Sequence, residues 1–230
     1  MIEFLRYSRQ FRLCALEQHS ARDGDPVATV IHYTGGPGVA CRWLRDTPTV
    51  SRSYHIEIAR NGVAYWLVHP KRKAWHAGRS EIQVGGETLS GANDWSIGIA
   101  LSNLGHLQVD TSALGPDGEP RYFYELGGQQ YPYKGPEPVA GILSFDDGRP
   151  SVCGMWEPYT AAQYATLKLV LACLAANGYR QAASNLVGHE EIAMPIGRKT
   201  DPGPAFSWDL FPSGYPNRRT KRMLTINGGG

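Results

Sequence analysis

The longest regular pattern in the chain is "YTAAQYATLKLVLACLAANGY" (159–179), where Leu167, Val170, Leu171 and Leu174 recur at helical spacing. Thr160 is placed to cap this helix, Gln163 completes a capping box, and Gly178 stops it. Elsewhere the periodicity shortens to that of strands. "VATVIHYT" (27–34) is a β-branched run that predicts a buried strand ending at the "GGPG" turn, with His32 near its end. "SYHIEIARNGVAYWLVHP" (53–70) predicts two strands joined at Asn61-Gly62, a pair suited to the positive φ of a tight hairpin. Strict alternation would put Tyr54, Ile56 and Ile58 on one side and His55, Glu57 and Ala59 on the other. "WSIGIALSN" (95–103) predicts a further strand, and "NLVGHEEIA" (185–193) a short strand running into a loop that carries His189. This order predicts an α/β fold: a mixed central β-sheet flanked by helices, with the 159–177 helix packing its Leu/Val face on the sheet.

Residues 104–157 break the pattern. They are rich in Gly and Pro, yet the aromatics Tyr122, Phe123, Tyr124, Tyr131, Tyr133, Phe145 and Trp156 argue against disorder, so an ordered loop or hairpin insertion lying over the core is expected. The expected organisation is one domain over 1–212 with an insertion at about 104–157, followed by a basic tail, 213–230, that frays. That tail holds Arg218, Arg219, Lys221 and Arg222, but a net charge of +2 for the whole chain is too small to argue for nucleic acid. The first twenty residues are interrupted by Arg6, Arg9, Arg12 and Glu17 and lack the apolar core of a secretory signal. No stretch approaches the roughly 18 apolar residues of a membrane helix. The expectation is a protein made in the cytoplasm, which something else must carry if it works elsewhere. Cys14, Cys41, Cys153 and Cys173 form no CxxC pair and are expected to be free, mostly buried thiols. No pattern specifies an oligomeric state.

One loop is written too specifically to be a mere connection. In "GRKTDPGPAFSW" (197–208), Gly197, Pro202, Gly203 and Pro204 constrain the backbone on either side of Lys199 and Asp201. A mononuclear zinc site needs about three N or O ligands and a position left to water. His32 at a strand end, His189 and Asp201 could supply them.

In this context the chain resembles the zinc-dependent N-acetylmuramoyl-L-alanine amidases of the type 2 amidase family, which includes phage-lysozyme-type amidases, AmpD enzymes and peptidoglycan recognition proteins. The segments "VIHYT", "SYHIEIARNG", "AWHAGRS", "NDWSIGIALSN", "YTAAQYATL", "GHEEIA" and "RKTDPGPAFSW" occur in the family's order from about 27 to 211. The resemblance implies a zinc groove on one face of the sheet, with His32, His189 and Asp201 as ligands. It implies that Lys199 stabilises an oxyanion and that Tyr54 sits beside the metal's water. It implies hydrolysis of the amide between N-acetylmuramic acid and L-alanine, in peptidoglycan or muropeptides. Zinc lowers the pKa of bound water to about 7 and polarises carbonyls, which agrees with that chemistry.

One departure bears on mechanism. AmpD-like members carry a glutamate where this chain has Ala100, and lack the tyrosine present here as Tyr54. General-base duty is then left to the zinc-activated water itself, Tyr54 or a residue of the insertion, and both features lean towards a wall-acting lysin or effector. The stretch "IAMPIG" before Arg198 is also slightly longer than in close relatives. His76 matches a position lining the family's substrate groove. Trp75 could stack on substrate, and Asn93 could bind muropeptide or shape a turn. His55 is expected in the core, and His19, His69 and His106 carry no motif. The rival reading is a non-catalytic peptidoglycan-binding module, against which the joint presence of His32, His189, Asp201, Tyr54 and Lys199 speaks.

Overall fold

The computed structural model describes residues 11–110, 120–211 and 220–224. Strands β1 (Phe11–Leu13), β2 (His19–Ala21) and β3 (Ala28–Tyr33) precede a short helix, α1 (Cys41–Asp46). Then come β4 (Ile56–Ile58), β5 (Ala64–Trp66), β6 (Arg72–Ala74), β7 (Glu81–Val84), β8 (Glu87–Ser90), the one-turn α2 (Ala92–Trp95) and β9 (Ser96–Leu101). The insertion holds β10 (His106–Asp110), β11 (Arg121–Leu126), β12 (Gln129–Pro132), β13 (Val139–Phe145) and β14 (Val152–Trp156). The chain continues through α3 (Ala161–Ala176), α4 (Arg180–Ser184), β15 (Leu186–Gly188), α5 (His189–Ile192) and β16 (Thr220–Leu224).

The central sheet runs β1-β5-β4-β9-β3-β15. β4, β9, β3 and β15 are parallel and β5 is antiparallel to β4, so the sheet is mixed, as the order of elements predicts. Burial of both faces explains why β3 and β9 read as continuous apolar runs. Helix α3 starts at the expected capping box: Gln163 N–H donates to Thr160 Oγ1 (3.1 Å) and Thr160 N–H to Gln163 Oε1 (3.0 Å). Its Leu167, Val170, Leu171 and Leu174 join Ile31, Ile56, Ile58, Ile97, Ile99 and Leu101 in one cluster. Each such side chain contributes about 1.5–3 kcal/mol by leaving water. The hairpin turn uses Gly62 at φ +82°.

Strict alternation fails at Tyr54. Ile56 and Ile58 pack on the α3 side, while Tyr54 joins Ala100, Cys41 and Leu44 on the opposite side. The amides of Leu67 and Val68 both converge on His55 O, at 2.9 and 3.3 Å, so two residues oppose one as in a β-bulge. The regular strand begins only at Ile56, and the residues before it are re-aimed. His55 is buried in the core as expected.

The insertion is a second sheet, β12-β11-β10-β14-β13-β16. Its last strand comes from the basic segment expected to fray: Thr220–Leu224 pairs antiparallel with β13. The rest of that tail, from 212, lies outside the described residues. All four cysteines are free, but only Cys14 and Cys41 are buried, and Cys153 is exposed. Among the described residues no helix is long and apolar enough to cross a membrane.

Candidate active site

His32 is the fifth residue of β3, and His189 directly follows β15, the parallel strand beside it. Both side chains thus emerge at the carboxyl ends of adjacent parallel strands, where open α/β sheets place their sites. His189 starts the single-turn helix α5 rather than the expected loop. Asp201 arrives from the broken loop, held by a hydrogen bond from Glu190 N–H to Asp201 O (2.9 Å).

The three side chains are buried, and their ligand atoms lie within 4.8 Å of one another. His32 Nδ1 is 2.8 Å from Asp201 Oδ2, and His189 Nδ1 is 3.0 Å from the same oxygen. The other ring nitrogens decide what these contacts are. His189 Nε2 faces Ala77 O at 3.1 Å, a pure acceptor, so it carries the proton and leaves Nδ1 a bare lone pair. His32 Nε2 lies 3.0 Å from His76 Nδ1 and donates to it when the His76 proton is on Nε2, towards Ser96 Oγ at 3.5 Å. Two nitrogen lone pairs and a carboxylate then converge with no proton between them, which is the donor set and tautomer pattern of a divalent cation site.

The electrostatics agree. Burial, with His189 beside it, pushes the His32 pKa down to about 4, so the ring is neutral at neutral pH. Burial alone would raise the Asp201 pKa, but hydrogen bonds from the two histidines when their Nδ1 atoms carry protons outweigh it and hold the carboxyl well below its usual range, so it stays the anion that a cation would face once those protons leave. Burial pushes Tyr54 up, keeping it a phenol, and its ring centroid lies 5.3 Å from that of His32.

A cavity of about 540 Å³ opens over these groups. Tyr54, Lys199, Trp75 and His76 line it with the three candidate ligands, and Arg52 and Arg198 stand on its walls. Asn93 is not in the lining: its Oδ1 accepts from His76 N–H (3.0 Å) and Ala77 N–H (2.7 Å), shaping the loop that presents the Ala77 carbonyl. Trp75 donates from Nε1 to Ser20 Oγ at 3.3 Å. His76 reaches the cavity but is almost wholly buried, engaged with His32.

Ala100 sits between His32 and Glu57 in one cross-strand row, so all three point to the site's side of the sheet. Glu57 is not among the residues lining the cavity. Its Oε1 accepts from Ala40 N–H (2.7 Å) at the start of α1 and from Ser102 Oγ–H (3.1 Å).

Two supporting residues escaped sequence reading. Arg198 Nη2 donates to Ala77 O (3.0 Å) and Arg79 O (2.7 Å), clamping the carbonyl that orients His189. Gly98 lies under His76, where an added Cβ would come within 2.5 Å of the imidazole. A glycine inside a strand is the one signal that marked such a close approach.

The sequence profile of the N-acetylmuramoyl-L-alanine amidase family matches residues 22–204. The chain belongs to this family. It is 32% identical over 213 residues to the 1,6-anhydro-N-acetylmuramyl-L-alanine amidase AmpD of Enterobacter cloacae, covering 84% of this chain and 83% of the relative. AmpD of Escherichia coli strain K12 is 32% identical over 159 residues, covering 69% of this chain and 56% of that protein. A crystal structure of a selenomethionine AmpD derivative superposes with a TM-score of 0.51 at 25% identity, over 89% of this chain and 94% of that one. The chain is accordingly an enzyme of the amidase class with the mixed α/β fold of AmpD.

Two expected outcomes follow from the site's surroundings. His76→Ala removes the acceptor that fixes the His32 tautomer, and zinc affinity should fall about 10–100-fold with the fold intact, as read by competition with a chromogenic chelator. His55 accepts from Gly98 N–H at Nδ1 (2.9 Å) and donates from Nε2 to Arg72 O (3.0 Å). Burial, and then Arg22, lower its pKa from 6.5 to about 3. Because the folded value is depressed, its contribution to stability is present above pH 6.5 and is lost as pH falls towards about 3. The stability of the metal-free wild type relative to His55→Asn should therefore decline by up to about 1.4 kcal/mol per pH unit in that window, measured by chemical denaturation.

Proposed function

We propose that this chain is a zinc-dependent amidase that cuts the bond between the lactyl group of N-acetylmuramic acid and L-alanine, acting on soluble 1,6-anhydro-muropeptides. The observation that carries this reading is the convergence of His32 Nδ1, His189 Nδ1 and the Asp201 carboxylate beneath a cavity that also holds Tyr54 and Lys199. Zinc bound there supplies a Lewis acid for the scissile carbonyl and acidifies water to a pKa of about 7. The protein's own groups do the rest. Ala77 O and His76 hold the two imidazoles in the metal-ready tautomer. Lys199 places an ammonium in the cavity wall to stabilise the negative charge developing on the carbonyl oxygen. Tyr54, a neutral phenol at the edge of His32, orients the attacking water or the substrate amide by hydrogen bonding. A binding-only module would have no use for this complete set.

The soluble fragment is favoured because the curated relatives are named for the anhydro substrate. Intact wall is the second reading, favoured by the alanine at position 100 together with Tyr54. Within this account residues 1–212 form the catalytic domain, and the protein works as a muropeptide hydrolase in the cytoplasm or, on the second reading, as a lysin at the wall. Parallel assays on anhydro-muropeptide and on purified sacculi decide between them. Faster release of stem peptide from the soluble fragment is expected, and a preference for sacculi would establish the second reading.

A further inference from the structure

We propose that the inserted sheet is a positioning device for the loop carrying Lys199 and Asp201, acting through Leu143 and Trp156. The proposal rests on the reading of Asp201 as a ligand and Lys199 as the cavity cation. A loop as rich in Gly and Pro as 194–206 has no ladder of its own, so its place must come from what packs on it. The core grips its middle: Tyr33 OH and Thr200 Oγ1 are 2.7 Å apart, and Tyr159 OH donates to Pro202 O at 2.9 Å.

The insertion grips both ends. Before Lys199, Ile196 and Met194 pack against Leu143, Phe145 and Val152 of β13 and β14, with Leu143 fully buried. After Asp201, the fully buried Trp156 lies against Gly203, where an added Cβ would come 2.7 Å from the indole. An added Cβ at Gly141 of β13 would likewise come 2.7 Å from Pro204. Trp156 Nε1 donates to Gly141 O (3.3 Å), so the two strands that touch the loop are tied to each other. Two glycines at the contact, one on each partner, mark an approach too close for any side chain. The insertion therefore bears on the loop on either side of the two chemical residues, while none of its described residues lines the cavity. Relaxing either contact lets the Asp201 carboxylate and the Lys199 ammonium drift relative to His32 and His189, and misplacement by about 1 Å can cost roughly 100-fold in rate.

The test compares Leu143→Ala and Trp156→Phe with Leu174→Ala, a buried core truncation on α3 that belongs to neither the loop nor the insertion. Zinc affinity by chelator competition, kcat and KM per folded molecule, thermal midpoint, and amide exchange across 197–201 are measured on the full chain. All three variants should lose thermal stability. Only Leu143→Ala and Trp156→Phe should lose about 10-fold or more in zinc affinity and about 10–100-fold in kcat at similar KM, with faster exchange in the loop. Leu143→Met should restore the wild-type values, and Leu143→Val takes its place if the alanine variant does not fold. Zinc affinity, kcat and loop exchange matching those of Leu174→Ala would overturn the proposal. Should the wild type itself bind no zinc, the metal-site reading falls, and loop exchange alone decides the insertion's role.

Discussion

Asp201→Ala protein will fold but fail to retain zinc, and its amidase activity will drop by roughly a thousandfold or more. The reason lies in the geometry. Among the described residues Asp201 is the anionic group that faces both His32 Nδ1 and His189 Nδ1, at 2.8 and 3.0 Å, and two neutral imidazoles without it make a weak site for a divalent ion. Asp201→Asn separates charge from shape, since the amide fills the same space while removing the negative charge; it should be almost as inactive. Metal content by atomic spectroscopy, beside turnover, is the measurement. An alanine variant that keeps stoichiometric zinc and full turnover would show that another residue completes the site.

Lys199→Ala should behave differently: zinc retained, KM little changed, and kcat lower by about 100–1,000-fold, the usual cost of deleting a donor aimed at a developing oxyanion. Lys199 lines the cavity but is absent from the ligand cluster, so its removal leaves the metal donors in place. Lys199→Arg should recover only part of the rate, because a planar guanidinium on a different stem cannot occupy the same point. A fall in zinc content parallel to the fall in rate would instead make Lys199 a structural element of the loop.

The helix α3 and the strands β3 and β9 were legible because local signals and tertiary demand agree there: a capping box, a helical apolar face and apolar runs buried on both sides. The three candidate ligands were legible through the segments around them, which the family resemblance put in order. The side of the sheet that Tyr54 faces was not, because the bulge at His55 depends on pairing with residues 67 and 68 across the hairpin. The second sheet was foreseen only as an ordered insertion. Its closing contact, β13 with Thr220–Leu224, joins segments some 80 residues apart, and local pattern carries no record of such pairing. The roles of His76, Asn93 and Arg198 were hidden for a related reason. Each acts through a hydrogen bond to a neighbour distant in sequence, His32, the 76–77 amides and Ala77 O respectively.

Zinc-dependent cleavage of the muramoyl–L-alanine amide at the His32, His189 and Asp201 site has a direct chemical signature. Mass spectrometry of a muropeptide incubated with zinc-loaded protein, chelated protein and the Asp201→Ala variant tests it most directly. A free stem peptide with a new L-alanine amino terminus is expected in the first reaction alone, restored to the second by added zinc. No such peptide after zinc reloading, or equal release in all three, would contradict it.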